Sequence, residues 1–387
     1  MPGCAWHQPQ TDGEYPMKAV AHSELGDADV LRVTELDIPE PGPGEVRVRV
    51  AVSGVNPTDW KGRSGAYGAA AGELPLSVPN HDGAGVIDAV GPVAGGDGAS
   101  GSAAESDGAS DGVGPGAAGA IGAPFAVGDR VWVSLAAYQR PASGTAQEYT
   151  VLPVNRVFPL PDGASFELGA ATGIPALTAH RSLTVAEDGP SRLAPGALDG
   201  HVVLVAGGAG AVGHAAVQLA RWAGATVITT VSGETKASYA KAAGAQHVVN
   251  YRDSDAAEQI RAIAPEGVDL IVEVAAGRNN ALDLAVLKNR GTIAIYANDG
   301  GTPFALDIGQ NMGLNVRYQF VLGYTFGWDK VAAGAEDINA AIADGALPVG
   351  EDAGLPLIEF SLDRTGDAHR AVESGAVGKV LVKVADL

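Results

Sequence analysis

The sequence predicts an α/β protein in which a β-rich domain is interrupted by a doubly wound parallel sheet. Three observations carry that prediction. β-branched runs separated by turn residues fill the first part of the chain. From about residue 176, apolar strand runs alternate with helical segments, the pattern of strands buried on both faces. One of those runs, Val202-Val203-Leu204-Val205-Ala206, leads straight into a glycine-rich turn and then an amphipathic stretch.

The early strands are read at residues 18–22, 45–53 and 83–90, with Pro39-Glu40-Pro41-Gly42-Pro43-Gly44 as turn chemistry between the first two. Glu45-Val46-Arg47-Val48-Arg49-Val50 alternates cleanly, as a strand with one wet face does. Residues 129–134 and 145–151 continue this style. The parallel region is read as strand 201–206, helix 212–222, strand 226–231, helix 236–243, and strands 247–250, 268–274 and 291–296. Helices near 331–343 and 368–374 and a strand at 379–384 close the chain.

Composition bounds the class. The chain has 387 residues, 46% of them hydrophobic, enough for two or three domains and a large core. Glycine numbers 54, about twice the usual share, and much of the excess falls in 94–123, a tract of Gly, Ala, Ser and acids. That tract is expected to be a flexible, solvated insertion, because it cannot bury enough apolar surface to offset its ordering entropy. Residues 187–200, rich in Pro, Gly and acids, are expected to be a second soft segment, and residues 1–16 a flexible tail. One cysteine, Cys4, excludes an intramolecular disulfide and any zinc site built from several cysteines. A net charge of −20 argues against a nucleic-acid or anionic-membrane surface. No apolar run approaches the roughly 20 residues of a membrane span, and the first residues lack the pattern of a secretory signal. A cytoplasmic protein is expected.

The strongest local signal is Gly208-Ala209-Gly210-Ala211-Val212-Gly213, a G-x-G-x-x-G turn between strand and helix. Such a turn brings backbone amides and the positive end of a helix to a pyrophosphate. An NAD-selective fold places an acid about 20 residues on, for the ribose 2′-hydroxyl. Here that place reads Thr229-Thr230-Val231-Ser232-Gly233, with no acid before Glu234. Lys236, Tyr251 and Arg252 could surround a 2′-phosphate instead, which favours NADPH.

Several motifs in order identify a resemblance. They are Gly54-Val55-Asn56-Pro57-Thr58-Asp59-Trp60-Lys61, Pro79-Asn80-His81-Asp82-Gly83-Ala84-Gly85-Val86 and Gly144-Thr145-Ala146-Gln147-Glu148-Tyr149. Gly173-Ile174-Pro175-Ala176-Leu177-Thr178-Ala179, the 206–213 fingerprint and Gly378-Lys379-Val380-Leu381-Val382 follow. Together they resemble the zinc-independent quinone oxidoreductases (zeta-crystallin-like) of the medium-chain dehydrogenase/reductase superfamily.

The resemblance implies a GroES-like catalytic domain (17–175 and 323–387) around a Rossmann NADPH-binding domain (176–322), with the active site between them. By motif, 209–213 would face the pyrophosphate, and Ser232, Gly233, Lys236 and Tyr251 the adenosine phosphate. Tyr296, Ala297 and Asn298 would follow the strand facing the cofactor, and Phe320, Val321 and Leu322 would lie beside the nicotinamide. Asn56 and Thr178 match polar positions near the nicotinamide ribose and ring. A homodimer built through the Rossmann domains is also implied.

Departures narrow the chemistry. Lys61 stands where many quinone reductases have Tyr. Zinc-dependent relatives have Cys where Asn56 stands, and one His, His81, cannot supply the three protein ligands of a catalytic zinc; no metal is expected. His81 itself is expected to be an ordinary turn residue before the Gly83 strand. A hydride acceptor that spreads its own negative charge, a quinone or an enone, fits such a site. Asn56, Lys61 and Tyr138 are the candidates for hydrogen-bonding the developing oxyanion, and Trp60 and Phe326 for an aromatic wall. Two alternatives stay open: an enoyl-thioester reductase acting on CoA- or carrier-bound chains, and a non-catalytic NADPH-binding protein.

Overall fold

The computed structural model describes residues 16–68, 74–92, 125–252, 255–299, 301, 303 and 305–387. The expected tail through residue 15, with Cys4, and the 94–123 insertion lie outside them.

The chain opens with β1 (Met17–Ala21) and β2 (Arg32–Leu36), an antiparallel pair. The long β3 (Glu45–Val55) buries alternate side chains over its first half, as its Val/Arg alternation requires. It runs into α1 (Pro57–Arg63), which starts where a capping box closes between Asn56 and Asp59 and Pro57 sets the first turn. β4 (Asp82–Val90), β5 (Arg130–Val133), β6 (Tyr149–Pro153) and β7 (Val157–Pro159) complete the early strands. β6 begins later than its apolar run suggests, because the Thr145 hydroxyl is drawn inward to Ser53 and to the Asp82 carbonyl.

α2 (Phe166–Leu183) is the pivot between the two halves. The domain boundary expected at 175/176 falls inside this helix, where Gly173 leaves helical geometry and Pro175 removes an N–H. Gly173 packs so tightly on the Asp82 carboxylate that a Cβ would lie 2.1 Å from its oxygen.

The parallel region follows as β8 (Val202–Ala206), α3 (Ala211–Trp222), β9 (Thr226–Val231), α4 (Glu234–Ala242), β10 (His247–Asn250) and α5 (Ala256–Ile263). Next come β11 (Val268–Glu273), α6 (Ala276–Val286), β12 (Leu287–Ile295), α7 (Ile308–Leu314) and β13 (Arg317–Phe320). Every pairing in this sheet is parallel, in the order β10-β9-β8-β11-β12-β13. The strand order reverses beside β8, which opens a crevice at the carboxyl ends of the strands.

α8 (Trp328–Ala343), β14 (Leu357–Ser361), α9 (Thr365–Glu373) and β15 (Lys379–Lys383) return the chain to the first sheet. There β15 pairs antiparallel with β3, giving the order β14-β15-β3-β4-β5-β7 with β6 also on β3. The fold is therefore a GroES-like β-rich domain, assembled from both parts of the chain, around a Rossmann-like parallel sheet. One apolar core runs through α2, from Trp132 and Phe158 on one side to Val203, Val205 and Leu219 on the other. Among the described residues no helix is long and apolar enough to cross a membrane.

Residues 187–200 are not soft, and the expectation drawn from their composition is corrected. Leu193 and Leu198 are buried core residues. Arg192 donates to both carboxylate oxygens of Asp337 at 2.6–3.1 Å, and the Leu193 amide and His180 bond the same group at 2.7 Å. Burial alone would raise Asp337, but these donors outweigh it and hold the carboxyl at about 2. Two leucines and one carboxylate anchor a segment whose glycines and prolines suggested mobility.

α9 is tied to the first sheet by His369, fully buried, which meets Asn80 Oδ1 at 2.9 Å while the Asn80 amide donates to Ser53 at 2.9 Å. Burial pushes His369 down to about 4, and His214 likewise. In the unfolded chain both side chains protonate near 6.5, so the fold binds fewer protons and its stability falls as pH drops through 6.5 toward 4. Replacing His369 with Asn is expected to remove about 2 kcal/mol of the stability lost between pH 7 and pH 5. Urea unfolding of both proteins at the two pH values measures this, and equal pH slopes would refute it.

Candidate functional site: a dinucleotide crevice facing a polar wall

The glycine-rich turn leaves β8 at the carboxyl edge of the parallel sheet. Its three fingerprint glycines answer to different demands. At Gly208 a Cβ would lie 2.2 Å from Thr229 Oγ1, and at Gly213 one would lie 2.4 Å from the Gly207 carbonyl oxygen. These two are required by the protein's own packing. Gly210 is exposed, a Cβ there would come no nearer to another residue than 3.5 Å, at the Gly207 carbonyl oxygen, and it is the N-cap of α3. Ala211, Val212 and Gly213 open that helix, where amides have no intrahelical acceptor and face outward for an anion. Ala209 is buried beneath the turn.

Other sequence-selected residues lie on the same sheet edge. β9 ends at Val231, so Ser232 and Gly233 form the step into α4, with Lys236 in its first turn. Tyr251, half exposed, and Arg252 follow β10, the strand next to β9. Tyr296, Ala297 and Asn298 follow β12, and Phe320, Val321 and Leu322 close the neighbouring β13. Of this last trio Val321 is buried, its amide on the Ile295 carbonyl at 2.8 Å, while Phe320 and Leu322 are exposed. Thr178 is buried on α2. Behind Tyr296, the adjoining acids Glu273 and Asp283 are both buried, and burial with the charge of Glu273 pushes Asp283 up to about 9.

The candidate catalytic residues face one another less simply than the sequence suggests. Asn56 is buried with its amide committed, Oδ1 accepting from Lys379 Nζ at 2.7 Å and Nδ2 donating to Asp82 at 2.7 Å. Only one N–H is left for any other partner. Lys61 reaches across the crevice to Asp299, 3.7 Å away on the loop after β12, so its ammonium is partnered rather than free. Tyr138 stacks on Tyr324, centroids 4.6 Å apart. Trp60 lies under the Lys61 ammonium at 5.8 Å, and Phe326 packs partly buried against the core.

Sequence reasoning missed the group that links these residues. Asp82 is fully buried and accepts from Ser134 at 3.0 Å, from Asn56, and from the Ile174 amide at the break in α2. Lys379 Nζ stands 3.9 Å away. Burial pushes Asp82 up and Lys379 down, and each charge opposes the other's shift. His81 lies in the bend before β4, as expected, and there its Nδ1–H donates to Asp59 and its ring lies 5.6 Å from that of Tyr324. The only sequence signal was the motif spacing itself, since neither acid stands near its partner in sequence. Among the described residues no group of three or more His, Cys, Asp or Glu is placed to hold a metal.

Comparison with known proteins agrees with this geometry. Residues 42–162 match the family described as alcohol dehydrogenase GroES-like domain, and residues 211–339 the family described as zinc-binding dehydrogenase. Human quinone oxidoreductase is 29% identical over 380 residues, covering 96% of this chain and 98% of that protein. A solved mycobacterial quinone oxidoreductase superposes with a TM-score of 0.75 at 26% identity, over 95% of this chain and 99% of that one. A mycobacterial structure complexed with NADPH gives 0.72 at 27% identity, over 95% and 99%. With both domain families matched in series around a kinked α2 and a glycine-turn crevice, this chain belongs to the medium-chain dehydrogenase/reductase superfamily.

Proposed function

We infer that the protein is an NADPH-dependent oxidoreductase that passes hydride, without zinc, to a quinone or an α,β-unsaturated carbonyl compound. The observation that carries this reading is the open turn at Gly210 at the carboxyl edge of the parallel sheet, an edge that Lys61 of α1 reaches through Asp299 on the loop after β12. The absence of an acid at residues 229–233 and the presence of Lys236 on α4 support a 2′-phosphate. The likeness to a mycobacterial protein solved with NADPH supports the same choice.

When bound, the dinucleotide supplies the hydride. The chain's own residues position a flat acceptor and stabilise the charge it gains. Tyr138 and Tyr324 offer a stacked aromatic face. Lys61 can exchange Asp299 for an oxyanion without leaving α1, because that ion pair is long and half-exposed. Asn56, held by Lys379 and Asp82, has its remaining N–H fixed in direction.

The donor set does not fit the zinc that one family description implies. The amide of Asn56 is already divided between two partners, and His81 offers a single ring nitrogen, short of the three protein ligands that a catalytic zinc takes. The Lys379 ammonium beside Asp82 would oppose a divalent cation there.

Following NADPH absorbance with 1,4-benzoquinone, cyclohexenone and crotonyl-CoA tests the reading. Turnover is expected with the first two and survives dialysis against a chelator. Lys236→Ala is expected to raise KM for NADPH about tenfold and leave KM for NADH nearly unchanged, the loss of one charge-assisted contact. No acceleration by quinone or enone, or equal use of NADH, would sink it.

We also propose a homodimer formed through the parallel sheet. β13 is an edge strand, paired only with β12 among the described residues. The adjoining α7 exposes Ile308 and Met312 at 74% and 71%, an apolar surface that an edge strand alone does not explain. Sedimentation should give a dimer, shifted toward monomer by Ile308→Glu with Met312→Glu. A monomeric parent protein would contradict this.

A further inference from the structure

α1 and the turn before β4 build an arrangement that the proposed hydride transfer does not yet use. The Asp59 side chain is wholly buried, and three donors fill its two oxygens. The Asn56 backbone N–H takes one at 2.6 Å. The other accepts the His81 backbone amide at 3.1 Å and the His81 Nδ1–H. With Nδ1 committed to the carboxylate, the tautomer and ring plane of His81 are set. Nε2, on the far side of the ring, has no protein partner among the described residues.

His81 also lines a cavity of about 350 Å³, together with Thr58, Asp59, Pro79, Asn80 and Ala137. Thr58 also holds the hydroxyl of Tyr324, whose ring touches His81 on one side and stacks on Tyr138 on the other. Tyr324 belongs to the segment following β13, on the sheet edge that carries the dinucleotide turn. His81 thus stands where the cavity of the first domain meets the aromatic face beside the crevice. Charged and titratable neighbours are Asp59 and Arg63 from α1, Asp82 next in sequence, and Tyr138 and Tyr324. His22 and Arg140 stand across the cavity.

We propose that His81 is the acid that completes the reduction, with Asp59 as the positioning residue that holds it. The proposal rests on the hydride-transfer reading above. Hydride from NADPH forms the new C–H bond at the β-carbon, and the C=C electron pair moves to the carbonyl oxygen. The imidazolium Nε2–H proton is transferred to that oxygen, giving an enol from an enone; from a quinone it gives the keto tautomer of the hydroquinone, which loses a ring C–H proton to water as its second oxygen gains one. The neutral imidazole is then reprotonated by water from the cavity. Such proton transfer contributes typically about 10²–10⁴-fold.

The test compares the parent protein with His81→Gln and His81→Ala, using NADPH and cyclohexenone between pH 5 and 9. Gln preserves a donor toward Asp59, so its NADPH affinity, read by fluorescence titration, is expected to match the parent. Its kcat should fall about 100-fold, and the shape of its pH–rate profile should differ from the parent's. Imidazole added to His81→Ala should restore rate, and substituted imidazoles should do so in order of their pKa, which a purely structural role would not produce. Full activity with an unchanged pH profile in His81→Gln would overturn the proposal and leave the hydride-transfer reading standing. A rate loss that imidazoles do not relieve, with the pH profile retained, would also overturn it. If the parent protein oxidises no NADPH with any quinone or enone, the functional reading fails first and this inference with it.

Discussion

The carboxylate of Asp82 is the constraint on which much of this molecule depends. It sits at the first residue of β4, wholly buried, and is bonded by groups from four other parts of the chain. Ile174 contributes the amide freed where α2 breaks, Ser134 the end of β5, Asn56 the cap of α1, and Lys379 the start of β15. A buried carboxylate is costly unless its lone pairs are filled, and losing one such partner typically costs about 1–3 kcal/mol. The same group therefore fixes the kink of the helix between the two sheets and the orientation of the amide nearest the crevice. Structure and site share one anchor.

That sharing explains what the sequence disclosed and what it withheld. Local signals were sufficient for the parallel sheet: the 202–206 run, the glycine turn and the helix after it appear within a residue of where periodicity placed them. The alternation of β3 was equally legible. α2 was not: the change in texture near residue 176 set a domain boundary inside it, whereas the break in the helix is satisfied by Asp82, about ninety residues earlier. Residues 187–200 were misjudged for a related reason. Their composition describes a loop, and only the distant Asp337 reveals that the loop is pinned. In each case the deciding partner is remote in sequence, where neither propensity nor spacing reaches.

The crevice teaches a similar lesson about glycine. Gly208 and Gly213 are there for Thr229 and for the turn's own carbonyl, and Gly210 alone leaves space toward solvent. A fingerprint that reads as three contacts with a ligand is mostly a requirement of the turn. Lys61, chosen for its charge, is turned toward Asp299, while the histidine with an ordinary motif position has an acid behind it and space before it.

Asp283 has a consequence for how the protein would exchange protons with its surroundings. Buried beside Glu273 and pushed up to about 9, it keeps its proton at neutral pH, whereas the unfolded side chain ionises near 3.8. Opening the parallel domain at pH 7 therefore sets free about one proton. His214 of α3 recaptures only a fraction of it, since free histidine is mostly neutral there. The measured heat of unfolding thus includes the ionisation heat of the buffer that accepts the proton. Part of any calorimetric enthalpy for this domain belongs to the solution and not to the sheet.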